Sequence, residues 1–279
     1  MNVTIIGAAG QLGTDLVAEF PDSVQLTHGQ IEITDADSVK KVLDAAGPDV
    51  VINTAAYNLV DQAEDEPQRA FAVNAEGPEN LARWCAENDA KLVHVSTDYV
   101  FGQDATRTTS YTESDSPGPL GVYGQSKLAG ERAVQQSGCR HLIIRTCGLY
   151  GDAATKSKGN FVKTMLRLAD EREELRIVND QQCTPSYTKD VAKMIAHLVR
   201  VDAAGLFHVT NSGGTSWDEF AREIFRLTGK STRVVSIPSS EYPTKARRPP
   251  YSVLNVAKAE EATGVVMPDW RDALARFLS

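Results

Sequence analysis

Short runs of almost unbroken apolar residues recur through the first half of the chain, separated by stretches with helical spacing. They are Val3 to Ile6, Val24 to Thr27, Val50 to Asn53, the Leu-Val-His-Val centre of Lys91 to Ser96, and His141 to Arg145. A strand that alternates apolar and polar residues shows one face to water, whereas a strand covered on both faces reads as a continuous apolar run. Such strands alternating with helices predict an α/β fold whose parallel sheet is joined by right-handed crossovers. At 279 residues, the chain is long enough for one large domain or two smaller ones.

The first run ends in Gly7-Ala8-Ala9-Gly10-Gln11-Leu12-Gly13, and helix-compatible Thr14 to Phe20 follows. Strand, glycine turn and helix in that order suit a phosphate-binding loop: the glycines let backbone approach a pyrophosphate, which lies against the positive end of the helix. The spacing is Gly-x-x-Gly-x-x-Gly, and at the first βα junction it predicts dinucleotide binding in a Rossmann-type, doubly wound parallel sheet. The second strand ends Leu26-Thr27-His28-Gly29, with neither a carboxylate for a ribose hydroxyl nor an arginine for a 2′-phosphate. NADP and NAD therefore both remain open. Asp35 or Asp37 is expected to cap a helix from Ser38 to Ala46.

Ligands in such sheets bind beyond the carboxyl ends of the strands. Small residues after Asn53 (Thr54-Ala55-Ala56-Tyr57) would let a cofactor lie close to backbone, and Thr97 and Asp98 stand where a substrate would reach. A long helix from Gln68 to Asn88 is expected to bury Phe71, Ala75, Leu81 and Trp84 as one stripe. Further on, Tyr123 and Lys127 are four apart on another helix, so they share a face. An ammonium near a phenol favours phenolate and should lower the tyrosine pKa, giving a proton donor or acceptor for a carbonyl or an alcohol.

After about Thr146 the pattern changes. A glycine-containing loop from Gly151 to Gly159 precedes a helix from Asn160 to Ala169, a strand at Leu175 to Val178, a helix at Thr188 to Val199 and a strand at Leu206 to Val209. Ser216 and Glu219 have capping-box spacing. The expected organisation is a dinucleotide-binding unit over 1–146, completed by about 186–210, with 147–185 and 211–279 forming a smaller C-terminal α/β lobe. Arg247-Arg248 is a basic pair in an otherwise acidic chain, and guanidinium forks suit a diphosphate.

A formal net charge of −8 disfavours a nucleic-acid or anionic-membrane surface and favours a small-molecule partner. The opening residues carry no export signal. The four cysteines and five histidines show no metal-ligand spacing, so a reduced cytoplasmic protein without a metal is expected.

The stretches Gly7 to Gly13, Asn53 to Asp61, Ser96 to Phe101, Tyr123 to Lys127, Gly159 to Phe161, Asn179 to Gln181, Ser216-Trp217 and Arg248 to Leu254 together resemble the extended short-chain dehydrogenase/reductases, in particular those that reduce the 4-keto group of a dTDP-4-keto-6-deoxyhexose. The resemblance implies that hydride passes from NADP or NAD to the sugar C4. Tyr123 would donate the proton, Lys127 would hold the nicotinamide ribose and lower the tyrosine pKa, and Thr97 would bond the sugar oxygen. It implies cofactor contacts at Gly7, Gly10, Gln11, Leu12, Gly13, Glu32, Ile33, Asn53, Ala55, Ala56, Tyr57, Tyr123 and Lys127. Substrate contacts would come from Thr97, Asp98, Tyr123, Asn160 and Arg248.

Nucleotide-sugar dehydratases place an Asp-Glu pair after the threonine. Here Tyr99 follows Asp98, so the base for elimination is missing and simple reduction stands. Related reductases carry an aromatic residue where this chain has Gly148, which leaves the hexose open. Some relatives dimerise through a metal held by acids. Asp15 could serve, but Lys189 replaces another expected acid, so no metal is predicted and either a monomer or a homodimer fits. Two alternatives stay open: a reductase or epimerase for another nucleotide sugar, and a non-catalytic subunit similar to the regulatory subunit of methionine adenosyltransferase.

Overall fold

A computed structural model describes residues 1–153 and 159–279; part of the expected loop from Gly151 to Gly159 thus lies outside the described residues. The elements run β1 (Val3–Ile6), α1 (Gln11–Glu19), β2 (Val24–Leu26), α2 (Ala36–Ala46), β3 (Val50–Asn53), α3 (Val60–Ala63), α4 (Pro67–Phe71), a π-helical segment (Ala72–Glu76), α5 (Gly77–Glu87), β4 (Lys91–Thr97), α6 (Val122–Gln136) and β5 (Arg140–Thr146). They continue with β6 (Leu149–Tyr150), α7 (Phe161–Glu171), β7 (Glu174–Val178), β8 (Gln182–Cys183), β9 (Ser186–Tyr187), α8 (Thr188–Arg200), β10 (Gly205–His208), β11 (Thr215–Ser216), α9 (Trp217–Thr228), β12 (Arg233–Ile237), α10 (Ala257–Thr263) and α11 (Trp270–Leu278).

Six strands form one parallel sheet in the order β10-β5-β4-β3-β1-β2. The apolar runs are buried on both faces, as their composition requires: Ile5, Ile52 and Ile144 pack with Leu16 of α1 and Ile195 of α8, while Ile6, Val51 and Leu92 pack with Leu43 of α2 and Leu81 of α5. The strand order reverses between β1 and β3, and a crevice for ligands opens at such a reversal, beyond the carboxyl ends. A separate apolar cluster joins Tyr150, Val162, Leu175, Phe220, Ile224, Trp270 and Leu274 from the later elements. Asp35 caps α2 by accepting from the Asp37 amide at 2.9 Å.

Two local expectations are corrected. Ser216 stands at the N-cap of α9, but its hydroxyl goes to Asp218 rather than to the helix backbone, and Glu219 bonds Thr215, so no capping box forms. The single helix expected from Gln68 to Asn88 is broken by the π-helical segment at Ala72–Glu76. The extra residue in that turn rotates the apolar stripe: Phe71 and Ala75 are only half-buried, while Asn74 is fully buried.

That rotation has a use. The Asn74 amide clamps the chain at Tyr57, accepting from its backbone N–H and donating to its carbonyl, both at 2.9 Å, and donates to Ser126 of α6 at 3.0 Å. Helix α6 can come this close because residue 130 is glycine: a Cβ there would lie 2.1 Å from the Asn74 carbonyl oxygen. Gly130→Ala should therefore cost about 1–3 kcal/mol of stability, as overpacking a tight contact does. Thermal denaturation checks this, and an unchanged midpoint would contradict it.

Candidate active site

Helix α1 begins at Gln11, three residues earlier than its apolar spacing suggests, with Gly10 at the N-cap and no side chain capping it. Its first backbone N–H groups have no carbonyl in the helix to bind and point into the turn. Gly7 adopts φ +81°, and a Cβ on it would meet the Thr54 hydroxyl at 2.5 Å; a Cβ on Gly13 would lie 2.2 Å from the Gly7 carbonyl oxygen. Only bare backbone fits here, and bare N–H groups at a helix start suit a pyrophosphate. The residues therefore fit a dinucleotide. Ala8 and Leu12 pack beneath the turn in the core.

The other cofactor candidates divide. Asn53 is fully buried at the end of β3, accepting from the Ala55 N–H at 3.1 Å and contacting His94 at 3.3 Å, so it shapes the bend that carries Ala55, exposed Ala56 and Tyr57. The Tyr57 hydroxyl donates to Glu66 at 3.1 Å. Glu32 folds back on Thr34, whose N–H and hydroxyl donate to it at 3.1 and 2.9 Å and hold the carboxyl below its ordinary pKa. Ile33 is a core residue packed beside Gly77.

Strand β4 delivers Thr97, and α6 brings Tyr123 and Lys127 above it. The Glu64 carboxylate accepts from the Val122 N–H at 2.8 Å, tying down the start of that helix. The Thr97 hydroxyl donates to the Asp98 carboxyl at 3.1 Å and accepts from the Tyr99 N–H at 3.2 Å, and its influence on the neighbouring Tyr123 phenol lowers that group's pKa. Tyr99 packs edge-on against the Tyr123 ring at 5.5 Å. The Lys127 ammonium, 1% exposed, donates to the Val95 carbonyl at 2.7 Å.

The expected electrostatics of this pair are corrected. Burial pushes Tyr123 up to about 12, and the charges that reach the phenol, from Asp98 and Cys147, push the same way; only the Thr97 hydrogen bond opposes them. Burial brings Lys127 down to about 8, with Glu131 pulling it back. Desolvation outweighs the attraction inferred from spacing alone, because helical spacing says which side chains are neighbours but not how dry their surroundings are.

Beneath this trio lies a network that the sequence reading missed. Glu131, one turn beyond Lys127, is 1% exposed and accepts from Arg145 through two nitrogens, at 2.9 and 2.7 Å, and from the Ser96 hydroxyl at 2.5 Å. Ser96 and Arg145 are register partners on β4 and β5, so one carboxylate pins α6 to both strands. A glutamate four residues after a lysine usually marks a solvated face, and no local pattern separates this one from that case.

A cavity of about 170 Å³ opens beside the trio, lined by Asp98, Tyr99, Gly148, Cys183, Trp217 and Arg248 among others. Arg248 meets Asp61 through two nitrogens at 2.8 and 3.2 Å, and the guanidinium holds the Asp61 carboxyl below its ordinary pKa. Asp98, 2% exposed, accepts from Ser252 at 2.6 Å and from Cys147 at 3.1 Å, and burial pushes its carboxyl up. The position of Cys147, just past a strand end, was a usable signal for it; Ser252 had none. Asn160 does not line this cavity. It caps α7, accepting from the Lys163 N–H at 2.9 Å, and donates to Gln11 at 2.9 Å and to the Gly151 carbonyl at 3.1 Å, which places it against the glycine turn.

Lys189 pairs with Asp152 at 2.9 Å near Asp15. Among the described residues no group of three or more His, Cys, Asp or Glu is arranged to hold a metal ion, and no helix is long and apolar enough to cross a membrane.

The arrangement has clear parallels. The family model described as RmlD substrate binding domain matches residues 1–279. The dTDP-4-dehydrorhamnose reductase of Sinorhizobium fredii is 38% identical, with 100% of this chain and 97% of that protein covered. The crystal structure of a dTDP-4-dehydrorhamnose reductase from Clostridium acetobutylicum is 37% identical and superposes with a TM-score of 0.95 over 100% of this chain and 98% of that one. The dTDP-4-dehydrorhamnose reductase of Bacillus anthracis, solved in complex with NADP, is 39% identical with a TM-score of 0.94, covering 100% and 99%.

Proposed function

The chain belongs to the RmlD substrate-binding-domain family, and from that premise we propose that it reduces the 4-keto group of dTDP-4-dehydrorhamnose at the expense of NADPH or NADH. The observation that carries the reading is the convergence of Thr97, at the carboxyl end of β4, with Tyr123 and Lys127 of α6, whose ammonium bonds the Val95 carbonyl of that strand, next to Asp98 and Tyr99 of a cavity that also holds Arg248. When bound, the nicotinamide supplies the hydride. The N–H groups at the start of α1 would take its pyrophosphate, and Gly7, Gly10 and Gly13 would let that group approach.

The chain's own part is protonic. Tyr123 carries a firmly held proton at neutral pH, so it acts as an acid toward the ketone oxygen rather than as a base. Lys127, one turn further along α6, carries its ammonium to the Val95 carbonyl of β4. Arg248, already held in a fork by Asp61, would offer its remaining face to the substrate diphosphate. Tyr99 stands where a dehydratase would need a carboxylate, so no base is on hand for loss of water.

Two measurements follow. A panel of nucleotide-linked keto sugars assayed with NADPH and NADH should show reduction of dTDP-4-dehydrorhamnose; no oxidation of either nicotinamide with any member would sink the reading and favour the regulatory alternative. The second concerns pH. Lys127 is charged below its value of about 8 and loses that charge as the pH rises through it. Log kcat/KM, which reports the free enzyme, should therefore fall above pH about 8 in wild type and lose that descent in Lys127→Met. The same descent in both proteins would assign it to another group.

A further inference from the structure

Asn160 is too fully engaged within the chain to hold a sugar. It is 6% exposed and stands at the N-cap of α7, where its side-chain oxygen accepts from the Lys163 N–H at 2.9 Å. Its amide nitrogen has two hydrogens, and both have acceptors: the Gln11 side-chain oxygen at 2.9 Å and the Gly151 carbonyl at 3.1 Å. No donor is left for a hydroxyl, and the residue does not line the cavity that holds Asp98 and Arg248.

The Gln11 oxygen accepts a second time, from the Gly151 N–H at 3.0 Å. One side-chain carbonyl on the first residue of α1 thus gathers two donors, from Gly151 after β6 and from Asn160 before α7. Two N–H donors on one atom also settle which end of the Gln11 amide is oxygen. Gly151 is itself held in place. A Cβ there would lie 2.1 Å from the Thr188 hydroxyl, which donates to the Tyr150 carbonyl at 3.2 Å from the start of α8. Helix α8 in turn shares the core with α1, Ile195 with Leu16, so the support of Gln11 leads back to the helix that Gln11 begins.

The start of α1 needs such support. It has glycine at its N-cap and no capping side chain, so its orphan N–H groups follow the most permissive residue type. The Thr14 hydroxyl donates to the Gly10 carbonyl at 2.9 Å, but that bond stays inside the turn; Gln11 fastens the turn to the later elements. A turn that frays has to be ordered again whenever a pyrophosphate binds, which weakens binding, whereas a turn already fixed does not.

Resting on the reductase reading above, we propose that Asn160 is a positioning residue for the dinucleotide: through the Gln11 side chain it holds the first turn of α1 in the form that receives the pyrophosphate. The cofactor, and not the sugar nucleotide, feels its loss.

Asn160→Ser isolates that role, because serine keeps a neutral oxygen at the N-cap of α7 but is too short to bridge to Gln11. The full chain is titrated with NADPH and, separately, with dTDP, and melted without ligand. Kd for NADPH should rise about tenfold, the scale of one lost hydrogen bond, while Kd for dTDP moves by less than about twofold. Gln11→Ala should weaken NADPH by a similar factor, and the double variant by no more than the worse single one, since both changes break one link. In wild type, which needs no substitution to fold, the Asn160 side-chain amide signals should shift in NMR when NADPH is added and stay in place with dTDP. An unchanged NADPH Kd in Asn160→Ser overturns the proposal, even with a lowered melting midpoint, which would be a purely structural role. A raised dTDP Kd with NADPH unaffected, or amide signals that answer dTDP alone, would be a substrate contact and overturns it too. Losses that multiply in the double variant would show that Asn160 does not act through Gln11. A folded wild type that binds no NADPH overturns the reductase reading itself, and this proposal with it.

Discussion

Tyr123→Phe is expected to lower kcat by about a hundredfold or more, the size typical of losing a positioned general acid. The substitution removes one oxygen and leaves the ring, so the edge-on packing against Tyr99 and the fold around it should survive. Removing the acid leaves the alkoxide that forms at the sugar oxygen without its neighbouring proton donor. KM should change much less than kcat, because the lost interaction belongs to the transition state. Equal turnover by wild type and variant would remove Tyr123 from the mechanism, whatever the family resemblance.

Glu131→Ala should cost about 3–5 kcal/mol, because removing one partner of a buried ion pair strands the other charge in a dry place. Arg145 is 3% exposed, and one of its guanidinium nitrogens already has no partner among the described residues, so it has nowhere to turn when the carboxylate goes. Its stacking over the Phe101 ring at 5.0 Å gives little compensation. The Ser96 hydroxyl would be orphaned as well. A loss of that size lowers the melting midpoint by roughly 5–15 °C in a chain of this length. The pair Glu131→Leu with Arg145→Met should recover most of it, since replacing a buried ion pair by apolar side chains is often neutral or better. Denaturation of both variants beside wild type checks the claim; a Glu131→Ala protein as stable as wild type would show that the network is slack. Activity should fall with stability, because Glu131 fixes the depth of the helix that carries both Tyr123 and Lys127.

The strands were legible because burial on both faces leaves an unambiguous trace in the sequence, and Val3–Ile6, Val50–Asn53 and Lys91–Thr97 lie where the apolar runs put them. Strand ends and one helical turn are short-range features too, and Thr97 lies at the end of β4 while Tyr123 and Lys127 are one turn apart on α6, as their spacing required. What escaped was set at long range. Asn74 is buried because a π-turn rotates its helix, and α6 packs against it closely only because residue 130 is glycine. Glu131 looks like a surface charge until Arg145 arrives from β5. The sign of the Tyr123 shift was misjudged for the same reason, since desolvation depends on everything packed around the pair. Asn160 illustrates the reverse case: it sits at the edge of the site region, with its amide committed to Gln11, Gly151 and the start of α7.

The central claim is that hydride reaches the sugar C4 while a proton from Tyr123 reaches the oxygen, with net reduction. The most direct measurement uses reduced nicotinamide carrying deuterium at its transferable position, with dTDP-4-dehydrorhamnose as substrate and the product read by NMR. The account predicts one deuterium retained at C4 of a deoxysugar alcohol for each nicotinamide oxidised. Product without label at C4, label that washes out as in an epimerase cycle, or no product from folded protein would contradict it.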